Sequence, residues 1–350
     1  MATIKLLFKK INKLLIENYT SYKNGVLRTI FRSAIKDQSI VVIINSEEAK
    51  KIFDFNLHSL KMNKILLVYN EALLDRLYLA SFYFLSKLRI PNQNNYSEIT
   101  IVYANAMNNY FVRNLRYKFK NANIILRYYD YYNKDRLNTF LNEIKGIELN
   151  EESYCRFNAD NNKLRYMPNF VDREHIRSIA KTTFSKQVVF FGTVNNRRAE
   201  IILNMARVFA EHNIEFTFYC FRLSPAQKKI ADEITANSNS IIYNKRISYN
   251  EYLDVSTSAR CIIDLYRLHK DEGISYRISE AVFLGQKIIT DRENIVNEPF
   301  YNPNNILLVK NDENRLIEFL NSPCKQYENT ESLTLDYWLN TNNIVHHTHQ

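Results

Sequence analysis

Between Gly273 and Asp291 the sequence reads GISYRISEAVFLGQKIITD, and two of the chain's 5 glycines fall in this stretch. Arg277 and Glu280 stand inside an otherwise apolar helical run. A loop that opens a helix is a place for an anion. The first N–H groups of a helix lack intrahelical partners, and the helix dipole is positive there. Gly273 lets the loop fold tightly against a ligand, and Ser275 is the expected N-cap. The backbone N–H groups of Ile274, Ser275, Tyr276 and Arg277, with the Arg277 guanidinium, then suit a diphosphate. Glu280 suits a ribose, because an ionised carboxylate only accepts hydrogen bonds and can take both hydroxyls. Gly285 is expected just past the helix C-terminus. The alternative for Arg277 and Glu280 is an i, i+3 ion pair on a solvated edge.

A second turn offers similar chemistry. Gly192 and Thr193 end the strand VVFFGT, and VNNRR leads into a helix, so Arg197 or Arg198 could face an anion at that helix start. The segment is neither a GxGxxG nor a Walker loop. An ordinary strand-to-helix turn with two surface arginines is the competing reading.

The elements that must position these residues follow a simple rhythm. Continuous apolar runs at 39–45, 64–70, 98–104 and 122–130 read as buried strands, with helix-like segments at 71–88 and 106–120 between them. The rhythm resumes with strands at 186–193, 214–221, 239–244, 259–266, 286–291 and 304–310, and with helices at 196–212 and 225–235. Unbroken apolar strands alternating with helices predict parallel sheets covered on both faces, in two doubly wound units. Ligands of such folds lie at the carboxyl ends of the strands. The expected division is 1–168, 169–330 and a last helix with its tail at 331–350, possible packing back on the first domain included. Pro168 marks the boundary.

The formal charge of +10 suggests an anionic partner, namely nucleic acid, a phosphorylated small molecule or an acidic membrane surface, with a solvated, Lys-rich surface as the alternative. No RNP-type motif, C2H2 pattern or dense basic stripe is present, which speaks against nucleic acid. The four cysteines, Cys155, Cys220, Cys261 and Cys324, form no CxxC pair and no zinc spacing, which fits a reducing, cytoplasmic setting. No apolar stretch reaches about 18 residues. Residues 1–19 read as a short basic amphipathic helix, which either docks on its own domain or lies on the anionic inner-membrane surface. The histidine-rich tail reads as a solvated end.

The ordered pieces FFGTVNNRRAEII, RISYNEYLDVSTSARCIIDLYR, GISYRISEAVFLGQKIITDRENI and PFYNPNNILLV resemble bacterial glycosyltransferases of the GT-B architecture. The resemblance is to the lipopolysaccharide-core and surface-polysaccharide group, related to CgeB-like and group-1-like families, and covers residues 145–340 or so. It implies an α/β fold of two Rossmann-like parallel-sheet domains facing across a cleft. The C-terminal domain would bind a nucleotide-sugar donor, and the N-terminal domain a glycan or lipid-linked acceptor. It places the donor ribose on Glu280 and the diphosphate on Arg277 and Arg198. Many group-1 relatives carry a second glutamate earlier in the motif, where this chain reads HKDEGIS, so Asp271 or Glu272 would stand in for it.

Glycosyl transfer leaves negative charge on the departing diphosphate, which something positive must stabilise. No two aspartates are separated by one residue, so a metal-binding DxD motif is absent and transfer without metal or other cofactor is expected. An inverting route needs a general base near the acceptor hydroxyl. Asp130, ending a strand in ILRYYDYYNKD before aromatic residues, is the candidate, against a turn-forming role. Asn45, Asn70 and Asn105 also end strands, and His212 and His269 are further candidates. Three other readings compete: a non-catalytic scaffold of a polysaccharide assembly complex, a nucleic-acid-binding protein, and another two-domain α/β enzyme such as a sugar epimerase.

Overall fold

The computed structural model describes strands at 40–44, 65–69 and 100–104, residues 112–113 and 116, and residues 122–342 apart from 129–133, 182–183, 185, 237, 267–268, 270–271 and 310–312. The amphipathic N-terminal stretch, the segment 71–88, Asn45, Asn70, Asn105, Asp130 and the histidine tail lie outside the described residues.

Two compact units emerge, Met1–Met167 with Trp338–Gln350, and Pro168–Tyr337. Each is built on one six-stranded parallel sheet. In the first, β1 (Ile40–Ile44), β2 (Ile65–Tyr69), β3 (Thr100–Ala104), β4 (Asn123–Tyr128), β5 (Asn150–Ser153) and β6 (Arg165–Tyr166) align in the order β2-β1-β3-β4-β5-β6. Helices α1 (Lys134–Ile144) and α2 (Arg156–Asn162) link its later strands. The continuous apolar runs become strands, as parallel strands covered on both faces require.

β5 reads NEES and carries no apolar signal. It is a strand because its polar atoms are satisfied inside. Glu152, fully buried, accepts from Arg127 of β4 at 2.6 Å, from Arg165 of β6 at 2.8 Å and from the Trp338 indole at 2.7 Å. A buried carboxylate is tolerated where hydrogen-bonded cations surround it.

The second unit begins with α3 (Arg173–Ile179) and continues through β7 (Lys186–Thr193), α4 (Asn196–Glu211), β8 (Phe216–Phe221), α5 (Pro225–Thr235), β9 (Ile241–Tyr243), α6 (Tyr249–Ser256), β10 (Ala259–Asp264), α7 (Tyr276–Phe283), β11 (Lys287–Thr290), β12 (Ile306–Leu308) and α8 (Glu313–Asn321). Short α9 (Leu335–Thr341) follows, with Leu335–Tyr337 in the second unit and Trp338–Thr341 in the first. The strand order is β12-β11-β10-β7-β8-β9. Side chains alternate between its faces: Val188 and Phe190 join a core beneath α4 and α8, while Val189 and Phe191 join the opposite core with residues of α6 and α7. Cys220 and Cys261 are fully buried small hydrophobes, as expected from the sequence.

Candidate functional site

The carboxyl ends of β7, β10 and β11 bring most of the expected residues to one edge of the second sheet. α7 starts there. Ser275 is its N-cap, with extended backbone and a side chain accepting from the Ile278 N–H at 3.4 Å. Gly285 has φ +67°. Its N–H bonds to Val282 at 3.3 Å, and the Gln286 N–H bonds to Ala281 at 2.9 Å, the paired bonds of a Schellman end. Glycine is favoured there because a side chain would be strained in that conformation.

The three residues before the N-cap of α7 are held from behind. The Gly273 carbonyl accepts from Arg292 at 2.8 Å, the Ile274 carbonyl from Asn169 at 3.0 Å, and the Glu272 carbonyl from Asn294 at 3.2 Å. Ser279 of α7 donates to the Asn169 carbonyl at 2.6 Å. The Ile274 side chain lies in the core, so only its backbone can serve a ligand.

Arg277 and Glu280 turn out not to occupy a solvated edge. Arg277 reaches the buried Asp264 at the end of β10, with 3.4 Å between Nη1 and Oδ1, and its guanidinium lies 5.4 Å from the Tyr276 ring centroid. Glu280 is 2 % exposed and accepts from the Tyr252 hydroxyl of α6. Tyr252 packs edge-on against Phe191, which begins a cross-strand stack through Tyr219 to Tyr243. Burial, then the Glu280 charge, pushes the Tyr252 hydroxyl well above the ordinary tyrosine range, so it stays a donor.

Asp264 is the electrostatic centre of this edge. Burial alone would raise its pKa, but Arg292 and Arg277, with Arg198 behind them, hold it below the usual carboxylate value. Arg277 in turn loses to burial but gains more from Tyr276, Asp264, Tyr252 and Glu280, and its pKa stands above the ordinary arginine value.

Arg198 is turned inward. It is buried and donates to the carbonyls of Thr193 at 2.8 Å, Tyr266 at 2.9 Å and Leu265. Burial pushes its pKa down to about 10, partly offset by Asp264, so it remains charged at neutral pH. Gly192 makes room for it. A Cβ built there would lie 3.2 Å from Phe190 Cζ and 3.3 Å from Arg198 Nη1. In this structure Gly192, Thr193 and Arg198 therefore knit the end of β7 to the end of β10. Arg197 is the more exposed of the two arginines; it stacks on Tyr266 at 3.6 Å, donates to the Tyr266 carbonyl at 2.6 Å and pairs with Asp291.

Asp264, Arg292, Tyr252 and Asn169 were not singled out from the sequence. For Asp264 and Arg292 the signal was a charge at or just past the end of a buried strand, as in CIID and IITDR; Tyr252, on a helix, and Asn169, in a loop, carried no such signal. Among the other candidates, His269 donates its backbone N–H to the Glu272 carboxylate at 3.1 Å, and His212 ends α4 with Nδ1 3.0 Å from the Val208 carbonyl. A cavity of 440 Å³ lies elsewhere, lined by α4, β11, β12 and the start of α8, and none of the expected site residues borders it. No helix among the described residues is long and apolar enough to cross a membrane.

No family model matches the chain, and no curated protein matches it. Solved structures do. Staphylococcus aureus TarM, in complex with Fondaparinux, alpha-GlcNAc-glycerol and UDP, superposes with a TM-score of 0.53 at 14% identity, over 76% of this chain and 59% of TarM. AviGT4, a glycosyltransferase of avilamycin A biosynthesis, gives 0.53 at 10% identity over 87% of this chain and 97% of its own. The UDP-GlcNAc 2-epimerase of Methanocaldococcus jannaschii gives 0.51 at 12% identity, over 83% and 95%. The fold is of the GT-B type, with two Rossmann-like parallel-sheet units. Glycosyltransferases and sugar-nucleotide epimerases share it.

Proposed function

We propose that the chain is a nucleotide-sugar-dependent glycosyltransferase. The second unit would hold the donor, with UDP-sugar as the default by analogy with TarM. The acceptor would be a surface glycan or lipid-linked saccharide, as in lipopolysaccharide or capsule assembly, met at the cytoplasmic membrane face. The observation that carries this reading is the edge of the second sheet. There a glycine-led loop opens α7 beside the Arg277 guanidinium, and a buried acidic side chain, Glu280, stands one turn further on.

The chemistry follows from charge. As the glycosidic bond to the diphosphate breaks, negative charge grows on the leaving oxygen. Fixed N–H dipoles of α7 and Arg277 stabilise it without reorganising. This supply of positive charge makes a divalent metal unnecessary in the proposed route. Glu280, held by Tyr252, would accept the ribose hydroxyls, and Asp130 remains the proposed base for an inverting transfer.

A panel of nucleotide sugars, assayed by thermal shift and by nucleoside diphosphate release with and without EDTA, tests the reading. The expected result is stabilisation by one donor class and acceptor-dependent release that EDTA leaves intact. Strict Mn²⁺ or Mg²⁺ dependence would contradict the metal-free route. Conversion of the donor sugar to its epimer without acceptor would favour a sugar-nucleotide epimerase, the reading to which the fold similarity with the M. jannaschii enzyme lends support.

A further inference from the structure

Asp264 is 1 % exposed, and its two oxygens are divided between two arginines. Oδ2 accepts from Arg292 Nε at 2.8 Å, and Oδ1 lies 3.4 Å from Arg277 Nη1. Arg292 is itself 4 % exposed and spends its other nitrogens locally. Its Nη1 donates to the Gly273 carbonyl at 2.8 Å, and its Nη2 stands 3.6 Å from Glu272 Oε2. Arg292 thus meets Asp264 through Nε alone and shares its charge with Glu272. Arg277 holds the other oxygen of Asp264, at a longer distance than Arg292 holds its own. Its side chain keeps 25 % exposure, while its enclosed Nε has no hydrogen-bond acceptor among the described residues. A charge so placed is tethered on one side and available on the other.

We infer that Asp264 and Arg292 are positioning residues for the leaving diphosphate: Asp264 aims the Arg277 guanidinium, and Arg292 fixes the backbone that leads into α7. The inference rests on the donor site proposed above. It differs from a merely structural ion cluster in one respect. Asp264 must act on phosphate through Arg277, so the two residues are energetically coupled toward diphosphate and not toward the rest of the nucleotide.

The test is a double-mutant cycle on ligand affinity. UDP, GDP, CDP, ADP and dTDP are titrated calorimetrically into the full chain, and the binder is taken forward with its nucleoside, the latter measured by ligand-observed NMR. Asp264→Asn is expected to weaken the diphosphate about tenfold and leave the nucleoside unchanged. In an Arg277→Met background the same change should cost no more than about twofold. Should Asp264→Asn fail to fold, Asp264→Glu takes its place in the cycle, keeping the charge but moving the carboxylate that aims Arg277. Equal losses for diphosphate and nucleoside, or losses that add fully to those of Arg277→Met, overturn the inference. If Arg277→Met weakens binding while Asp264→Asn binds as tightly as the unaltered chain, the donor site stands and the positioning role falls. If no nucleoside diphosphate binds the unaltered chain, the donor site itself falls and takes the inference with it.

Discussion

Glycine at position 192 is explained by two contacts. Its missing Cβ would sit 3.2 Å from the Phe190 ring and 3.3 Å from Arg198. Both neighbours are buried, so neither can move cheaply. Gly192→Ala is expected to cost about 1–2 kcal/mol, read as a lower urea midpoint with unchanged slope. Glu280 is a different case. If it serves the ribose, Glu280→Gln should weaken donor binding at least several-fold while the melting temperature changes little, since the amide keeps the shape and can still accept from Tyr252. A variant that melts much earlier yet binds donor normally would return Glu280 to a structural role. Residue chemistry was partly legible in the sequence. Ser275 and Gly285 announced the two ends of α7, because caps depend on local backbone geometry. The partners of Arg277 and Glu280 were not legible, since Asp264 and Tyr252 come from other elements and only the fold brings them close. Arg198 shows the same limit: two adjacent arginines look alike in sequence, and the helix phase alone decides which turns inward.

At the scale of elements, apolar run length and β-branching located the long parallel strands, because burial on both faces leaves no room for polar alternation. β5 escaped for the converse reason. Its NEES sequence is stabilised by Arg127, Arg165 and Trp338, whose contribution no local pattern records. Trp338 is fully buried against Glu152, at the end of the chain that belongs to the first unit. Trp338→Phe should cost about 1–3 kcal/mol, because one donor to a buried carboxylate is lost. Trp338→Ala should cost about 3–5 kcal/mol, since it also opens a cavity. Denaturant unfolding followed by circular dichroism checks both, and equal small effects would contradict the network. For α7, Gly285→Ala forces a side chain into φ +67° and should cost about 1 kcal/mol, with Gly285→Asn costing less.

The whole molecule responds to pH through its buried carboxylates. Asp264 has its folded pKa held below the ordinary 3.8 by Arg292 and Arg277 against the effect of burial. Its contribution to stability is therefore complete above the ordinary value and is lost as pH falls through the lower folded value. Asp291 and Glu151 are raised, chiefly by burial, so their effect has the opposite sign: stability falls as pH rises through their folded values. Equilibrium unfolding between about pH 2 and 7 should show an acid limb that flattens in Asp264→Asn and a shallow decline at higher pH that flattens in Asp291→Asn. The fold class was legible at this scale because the strand–helix rhythm repeats along the chain. The chemistry is less so, since the same fold serves transferases and epimerases and does not by itself name the reaction.

The measurement that bears most directly on the central claim is a crystal structure with a bound nucleoside diphosphate. We predict the diphosphate at the start of α7 within hydrogen-bonding reach of Arg277, and the ribose hydroxyls on Glu280. A nucleotide bound away from residues 273–280, or a Glu280 still enclosed and out of reach of the ligand, would contradict it.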